Sequence, residues 1–355
     1  MKPFYCFLVV TYVSNFAIGF IGNILVLVYL YDSLKKSNQF NKSLAYILIN
    51  LAVVDILTEI FGTVGVLLEY EVMKHPSGLF GDMVCKTITS HTLTWSFTNI
   101  SVLTVVLLAW ERYRAVTQFK SKAASNLDET NYVKYLLASF WIVGPGMYSP
   151  FIPFQIYSEA DGCVEKFTND VAKYVISLMD ITCFYVLPSI FFLFSYTSIV
   201  KSLKKPPKYM SDRRQKQFSY NKVRRKLTRT AMLIVAGFFL CWSGAYIIYT
   251  VQVIGNIDTV AVDTAFEASL ILAYFASTSH PIIYSFRSKH FRDKVKEIFS
   301  KVNLCHCKED LCWRTCKVEP VTNPYVVRST EETIQVESRD DEVVEDSKGE
   351  DHLSQ

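Results

Sequence analysis

Trp110-Glu111-Arg112-Tyr113-Arg114 stands where a long uncharged stretch of the chain ends abruptly. The stretch before it, Thr87 to Trp110, contains no Asp, Glu, Lys or Arg. A helix needs about 20 residues to cross the hydrocarbon core of a bilayer, and this run is long enough. The sequence therefore predicts that Glu111, Arg112 and Tyr113 lie at one face of a membrane, at the end of a span.

Similar uncharged runs recur along the 355-residue chain, half of which is hydrophobic. The run Ser43–Leu68 is equally apolar apart from Asp55 and Glu59. Backbone groups in lipid must be hydrogen-bonded within their own segment, so each run is predicted to be a helix. Soluble helices rarely run this long without charge, which disfavours a large soluble core. We therefore expect an all-α membrane protein with a seven-transmembrane helix bundle. The remaining runs are Phe7–Tyr31, Tyr135–Tyr157, Ile181–Val200, Ala231–Ile257 and Ala268–Phe286.

Lys and Arg are concentrated in the linkers after spans one, three and five, whereas the alternate linkers are mostly acidic. By the positive-inside rule, the N-terminus is expected to be extracellular and the C-terminus cytoplasmic in a multi-pass protein of the plasma membrane. The net charge of +4 is thus a signal of topology, and no nucleic-acid partner is indicated. No catalytic constellation stands out, so the chain is not expected to be an enzyme.

The predicted organisation has four parts. Residues 1–6 form a short extracellular N-terminus, since the apolar run after them is too long for a signal peptide. Residues 7–286 form the bundle, and residues 287–300 form an amphipathic helix on the membrane surface. Residues 301–355 form a Cys-rich and then acidic, disordered cytoplasmic tail. In the amphipathic helix, the residues expected to face lipid are Phe291, Val295, Ile298 and Phe299.

Cysteines fall into two groups with different expected chemistry. Cys85 and Cys163 lie on the predicted oxidising side and are candidates for a disulfide, with Cys6 as the other outer candidate. Cys305 and Cys307, beside the membrane, are candidates for palmitoylation, which would make the chain a lipoprotein. A zinc site with His306 is the alternative, but the spacing matches no standard ligand pattern.

The polar residues inside the spans narrow the protein class. Over Phe7 to Ser300, this chain resembles the rhodopsin-like (class A) G-protein-coupled receptors, and among them it looks like a neuropeptide receptor. The motifs that carry the resemblance, in chain order, are Gly22-Asn23, Leu51-Ala52 with Asp55, Cys85, Glu111-Arg112-Tyr113, Trp141, Cys163, Pro188, Tyr196, Cys241-Trp242 and Pro281-Ile282-Ile283-Tyr284.

The resemblance implies a signalling mechanism. A ligand binds from outside between the helices, and Trp242 senses it at the floor of the cavity. Arg112, held at rest by Glu111, is freed when the sixth helix swings outward, and a heterotrimeric G protein inserts. Arrestin and receptor kinases are expected at the tail, and lipids around the bundle. The expected switch residues are Glu111, Arg112, Tyr113, Tyr196 and Tyr284. The expected ligand-pocket residues are Glu59, Thr94, Thr98, Trp242, Tyr246, Glu267 and Tyr274.

Four positions depart from the pattern of the family. Gly244 stands where a proline kinks the sixth span, and Ala276 where an asparagine is usual in the seventh. His280 replaces the asparagine of Asn-Pro-x-x-Tyr, which lies beside a sodium ion; a histidine near Asp55 could become cationic and replace it. The distance from Cys85 to Arg112 is two residues longer, which predicts a bulge or an earlier start of span three. The expected intramembrane polar, sodium-like site comprises Asn23, Asp55, Ser101 and His280.

The ligand class follows partly from residues that the spans lack. The span-three aspartate of amine receptors is replaced by Thr92 or Thr94, and the retinal lysine by Tyr274, so no covalent retinal is expected. The acidic outer face favours a basic peptide over a lipid or other small molecule. A non-signalling or decoy receptor remains the alternative, because Gly244 and His280 interrupt the expected relay.

Overall fold

A computed structural model describes residues 3–36, 41–117, 126–158, 162–167, 169–204, 214–255, 257 and 259–306. Long helices follow the uncharged runs, as expected for segments that satisfy their own backbone groups. In the first half of the chain they are α1 (Pro3–Lys36), α2 (Lys42–Glu69), α3 (Gly78–Val84), α4 (Thr92–Thr117) and α5 (Asn126–Tyr148). In the second half they are α6 (Asp170–Ile181), α7 (Leu187–Lys204), α8 (Arg214–Gly255), α9 (Val260–Arg287) and α10 (Lys289–His306).

Six helical stretches of the described residues are long and apolar enough to cross a membrane. The remaining predicted span, Tyr135–Tyr157, overlaps α5 only as far as Tyr148, and its last nine residues are not part of that helix. The predicted all-α bundle is therefore confirmed. The first helix begins earlier than expected, because α1 starts at Pro3 and includes most of the predicted N-terminal segment. The six stretches cover residues 6–35, 42–69, 78–117, 170–202, 225–255 and 260–287.

Between α5 and α6 the chain forms a 3₁₀ helix, Ser149–Phe154, and then a small antiparallel sheet. Strands β1 (Gln155–Ser158) and β2 (Gly162–Glu165) pair with Tyr157 opposite Cys163. Cys163 in β2 forms a disulfide with Cys85, so the predicted pairing is confirmed and Cys6 is not the partner. The disulfide fixes this hairpin to the start of span three. We call this end of the bundle the disulfide end, and the opposite end the Arg112 end.

Span three is interrupted just after the disulfide. A π-helical turn, Cys85–Thr89, follows α3, and His91 then adopts a left-handed backbone conformation (φ 57°) before α4 begins. A π-turn inserts one residue into a helix, and such insertions are frequent at functional sites. The π-turn therefore accounts for one of the two extra residues between Cys85 and Arg112, and the helical stretch of span three already begins at Gly78, so the structure has both a bulge and an early start.

The fifth span is also interrupted by a π-turn, whereas the sixth span is not. A π-helical turn, Thr182–Val186, joins α6 to α7 just before Pro188, where the missing N–H of proline disturbs the ladder. In contrast, α8 runs for 42 residues through Gly244 without interruption. The sixth span therefore has no break at the position where the family carries its proline.

Polar side chains join the helices inside the bundle. Asn50 of α2 donates from Nδ2 to Thr104 Oγ1 at 2.8 Å and accepts from Trp141 Nε1 at 2.9 Å. These two bonds connect α2, α4 and α5. In a membrane, where lipid is as apolar as the helices, such bonds contribute to helix association.

The expected lipid-facing position of Phe291 is wrong. Its side chain is 2% exposed and packs edge-on against Tyr29, with ring centroids 5.4 Å apart, and against Tyr284 at 6.2 Å. The first turn of α10 thus binds to the bundle, because two tyrosines offer an aromatic surface there. Phe299 is 53% exposed. Cys307 and the acidic tail lie outside the described residues, as does the side chain of Cys305.

Candidate functional site

A cavity of about 290 Å³ opens between the helices at the disulfide end. Its wall includes Cys163 of the hairpin, so the disulfide helps to shape it. The start of span three contributes Thr89, Ser90 and His91, which is the interrupted segment itself. The bulge therefore forms part of the cavity wall.

The deep part of the cavity is aromatic. Trp242 of α8 is 3% exposed and lies 5.4 Å from the Trp95 ring, measured between centroids. On α8, Trp242 also packs against Tyr246 and Phe238, each at 6.1 Å. Trp242 therefore lines the cavity on one side and joins the hydrophobic core on the other, as the resemblance predicted for the floor of the pocket.

Four carboxylates face the cavity: Glu69, Glu165, Asp180 and Glu267. Among the described residues of the lining there is neither a lysine nor an arginine, and His91 is the one histidine. This arrangement produces a negative potential in a space bounded by apolar walls, where charge is weakly screened. A positively charged ligand group fits such a space, and a negatively charged one does not.

Glu69 and Glu165 each have a side-chain partner. Glu69 Oε2 lies 3.3 Å from His91 Nε2, and Glu165 Oε1 accepts a hydrogen bond from Gln155 Nε2 at 2.9 Å. Glu165 is exposed at the mouth, but the surrounding protein still desolvates its carboxyl and raises its pKa above the ordinary value. The Gln155 hydrogen bond and the charge of Lys173 oppose this effect only in part.

Five of the seven predicted pocket residues line the cavity, namely Thr94, Trp242, Tyr246, Glu267 and Tyr274. Glu59 and Thr98 do not. The Glu59 carboxyl is buried against α1 and α9, where Gly19 leaves it space and Thr278 Oγ1 donates to Oε1 at 3.1 Å. Thr98 lies one turn below Thr94 and donates to its carbonyl oxygen at 2.9 Å. The predicted pocket therefore includes two residues that do not line the cavity.

Asp180 and His91 are among the lining residues that were not identified from the sequence. Asp180 immediately precedes the uncharged run of span five and was therefore placed outside the span, whereas the helix begins at Asp170 and buries it. His91 lies within the run of span three, has a left-handed backbone conformation and lines the cavity. Asp180 could have been identified only by extending the predicted helix of span five by one turn toward the N-terminus.

Below the cavity, the predicted polar site is brought together only in part. His280 Nδ1 donates to Asp55 Oδ2 at 2.6 Å, and both residues are fully buried. Asn23 Nδ2 donates to the Ser277 carbonyl at 3.3 Å. Ser101 is buried on α4, and none of the hydrogen bonds described for this site involves it. Sodium is a hard cation that prefers oxygen ligands. Here an imidazole nitrogen bonds Asp55 Oδ2, so His280 takes one of the oxygens that such an ion would use, while Asp55 Oδ1 and Asn23 Oδ1 have no hydrogen-bond partner among the described residues.

At the Arg112 end, the predicted ion pair is present. Arg112 binds the carboxylate of its neighbour Glu111 through Nε and Nη2, and both side chains are buried. Asn41, which caps α2, donates from Nδ2 to Glu111 Oε1 at 2.9 Å. This third contact ties the pair to α2 and was not anticipated from the sequence.

The tyrosines expected to assist the switch lie elsewhere. The Tyr113 ring packs on Trp110, with ring centroids 5.7 Å apart. The Tyr196 ring contacts Phe192, and its side chain is 46% exposed. Tyr284 is buried beside Phe291, and its hydroxyl has no hydrogen-bond partner among the described residues. In this arrangement Arg112 is paired with Glu111.

Comparison with known proteins agrees with this geometry. Residues 22–284 match the family of the 7 transmembrane receptor (rhodopsin family). Galanin receptor type 1 of Rattus norvegicus is 25% identical over 296 residues, 82% of this chain and 81% of the relative. Melanin-concentrating hormone receptor 1 of Homo sapiens is 26% identical over 287 residues, 78% of this chain and 76% of the relative. The matched segment holds the ion pair, the disulfide and the Trp242 floor, and the chain therefore belongs to the rhodopsin family of seven-transmembrane receptors.

Proposed function

We propose that this protein is a plasma-membrane receptor that converts the binding of an extracellular basic peptide into activation of a heterotrimeric G protein. In this proposal the disulfide end and the N-terminus face the outside, and the C-terminus lies in the cytoplasm. The distribution of Lys and Arg among the linkers supports that orientation.

The observation that carries the ligand class is the charge of the cavity. Four carboxylates line it, and no lysine or arginine among the described residues balances them. A cationic peptide would be attracted to this surface during approach and would neutralise buried charge on arrival. The relatives include receptors that are named for galanin and for melanin-concentrating hormone, which agrees with a peptide ligand.

The raised pKa of Glu165 gives this proposal a pH dependence. A carboxyl whose pKa is raised takes up its proton at a less acidic pH than an ordinary glutamate. Protonation removes one negative charge from the cavity mouth. Binding of a cationic ligand is therefore expected to weaken as the pH falls toward the raised pKa of Glu165. Glu165→Gln should remove the contribution of this carboxyl to the pH dependence of binding.

In the proposed signalling step, the ligand contacts Trp242 and biases an existing equilibrium between a closed and an open bundle. Opening separates Arg112 from Glu111, and Tyr196 and Tyr284 then stabilise the open form, which admits the G protein. Arrestin and receptor kinases would bind at the tail, and palmitate on Cys305 and Cys307 would attach the end of α10 to membrane lipids. His280, bonded to Asp55, would take the place that a sodium ion holds in the family.

A screen tests the proposal directly. Cells that co-express the receptor and a promiscuous G protein are exposed to a library of peptides and small molecules. We expect basic peptides to activate it, and Glu267→Gln to weaken them. Glu71→Gln is the matched control, because Glu71 is an exposed acid at the same end that does not line the cavity. Activation only by acidic or neutral compounds would contradict the proposed ligand class.

A non-signalling receptor is the second candidate, and two observations favour it. The α8 helix passes Gly244 without a break, and His280 occupies the Asp55 carboxylate. Ligand-dependent nucleotide exchange on a purified G protein separates the two functions. Binding without any exchange would favour the decoy, whether the ligand is a peptide, a lipid or another small molecule.

A further inference from the structure

Asp180 differs from the other acids of the cavity. Its side chain is 6% exposed, yet it lines the cavity, and its Oδ1 atom has no hydrogen-bond partner among the described residues. The Asn99 amide faces this carboxyl from α4, but neither of its polar atoms completes a hydrogen bond of good geometry. Two buried polar groups from two helices thus meet at the cavity with unused capacity.

Burying a carboxylate without a charged partner costs free energy, because the group loses its hydration. Among the other cavity acids, Glu69 faces His91 and Glu165 bonds to Gln155. Asp180 has neither kind of support. A free energy cost of this kind is offset when a cation from outside the chain enters the cavity and pairs with the carboxylate.

The surroundings of Asp180 suit a cation in a second way. Tyr148 and Tyr246 are close enough to interact electrostatically with its carboxyl, and both are buried in the cavity wall. Trp95 and Trp242 complete the aromatic lining. Aromatic faces attract ammonium and guanidinium groups, and the attraction is strongest where water is excluded.

We propose that Asp180 is the anchor that pairs with an ammonium or guanidinium group of the ligand. The proposal rests on the proposed receptor function and names the residue that selects a positive charge within it. The planar guanidinium of an arginine side chain is favoured, since it can bond a carboxylate and stack on an aromatic ring at once. The anchor comes from span five, so the threonines in span three do not by themselves exclude a charged amine.

The test uses the full-length purified receptor and three probes, namely arginine amide with its α-amine acetylated, the equally acetylated citrulline amide, which carries no charge, and agmatine. Thermal unfolding over a range of probe concentrations gives an apparent affinity, because a ligand of the folded state raises the melting temperature. We expect arginine amide to bind the wild type about 30-fold more tightly than citrulline amide, as for other buried charge pairs. Asp180→Asn should abolish the difference, and Glu71→Gln should retain it.

Equal affinity of the two amides for the wild type would overturn the proposal, as would no binding of either or a difference that survives Asp180→Asn. The comparison of the two amides on the wild type needs no variant, so a folding defect of Asp180→Asn leaves the test intact. Agmatine separates the sources of the cation. Affinity equal to that of arginine amide assigns the anchor to a small amine, and lower affinity assigns it to a residue of a peptide.

The anchor and the receptor function fail in different ways. If basic peptides activate the G protein through the wild type and through Asp180→Asn equally, the receptor function stands and the anchor is wrong. If arginine amide binds in an Asp180-dependent way but no basic peptide activates the G protein, the anchor stands and the signalling proposal is wrong.

Discussion

The ion pair at the Arg112 end predicts how strongly Glu111→Gln should raise basal signalling. The Arg112 and Glu111 side chains are 3% and 9% exposed, so the pair is almost fully buried. Removing one partner of a buried pair leaves an uncompensated charge, which costs about 3–5 kcal/mol. Glutamine keeps the length of the side chain and an oxygen for Asn41, so the change removes the charge and little else.

This loss of free energy destabilises the closed bundle only, because in the proposed mechanism Arg112 and Glu111 are paired in the closed form and separated in the open form. At about 1.4 kcal/mol for each factor of ten, a loss of 3 kcal/mol would raise the ratio of open to closed receptor by about 100-fold. The assay is ligand-independent nucleotide exchange on a purified G protein, in membranes that contain equal amounts of wild type and variant. We expect a large increase in the basal rate.

Asn41→Ser is the graded companion of this variant. Serine is as good a cap for α2 as asparagine, but it cannot reach Glu111 as the amide does at 2.9 Å. A lost hydrogen bond to a charged group costs about 1.5–3 kcal/mol, so the increase should be smaller than with Glu111→Gln. A basal rate that Glu111→Gln leaves unchanged, or that Asn41→Ser raises more, would refute the reasoning.

Three further predictions concern packing and the polar site. His280→Asn should restore a set of oxygen ligands around Asp55, so that NaCl, compared with KCl at equal ionic strength, lowers basal exchange in the variant and not in the wild type. Gly65→Ala should lower the melting temperature, because the new Cβ would lie 2.7 Å from His91 Cε1, whereas Gly146→Ala meets nothing within 4 Å and should be neutral or stabilising. Phe291→Ala should cost about 3 kcal/mol or more of stability through a cavity beside Tyr29, and Phe299→Ala, at an exposed position, should cost little in the same unfolding assay.

The bundle could be predicted because the spans can be recognised from the order of residues along the chain alone. Uncharged runs of membrane length are a property of composition along the chain, and the bilayer enforces helices on them. The bulge in span three was also predictable, since two additional residues between Cys85 and Arg112 must go somewhere. What the residue count could not give is the form of the bulge, a π-turn followed by a left-handed His91.

The errors arise where packing between helices decides the outcome. Phe291 was expected to face lipid because its helix is amphipathic, but Tyr29 and Tyr284 offer it an aromatic surface. For Glu59 the sequence left two possibilities, a place in the pocket or a hydrogen bond inside the bundle, and the absence of a side chain on Gly19 lets it turn toward α1 and bond to Thr278. Asp180 was overlooked because the boundary of span five was drawn at the last charge. The first two cases depend on neighbours that are distant in sequence, and the third on the position of a helix end.

The same contacts suggest how a ligand signal crosses the bundle without a proline in the sixth span. Phe238, Trp242 and Tyr246 are four residues apart on α8 and pack in series, each ring 6.1 Å from the next. They form one stripe that begins at the cavity and ends in the core. A helix bent at a proline can swing one half against the other. Because α8 contains no proline and is continuous through Gly244, we expect it to tilt as a unit. Arg225 lies about 26 Å along the axis from Trp242 at 1.5 Å per residue, so a small tilt at the aromatic stripe displaces the other end of the helix over a long lever. A rigid sixth helix is therefore compatible with signalling, provided that the ligand pushes on the stripe and not on a hinge.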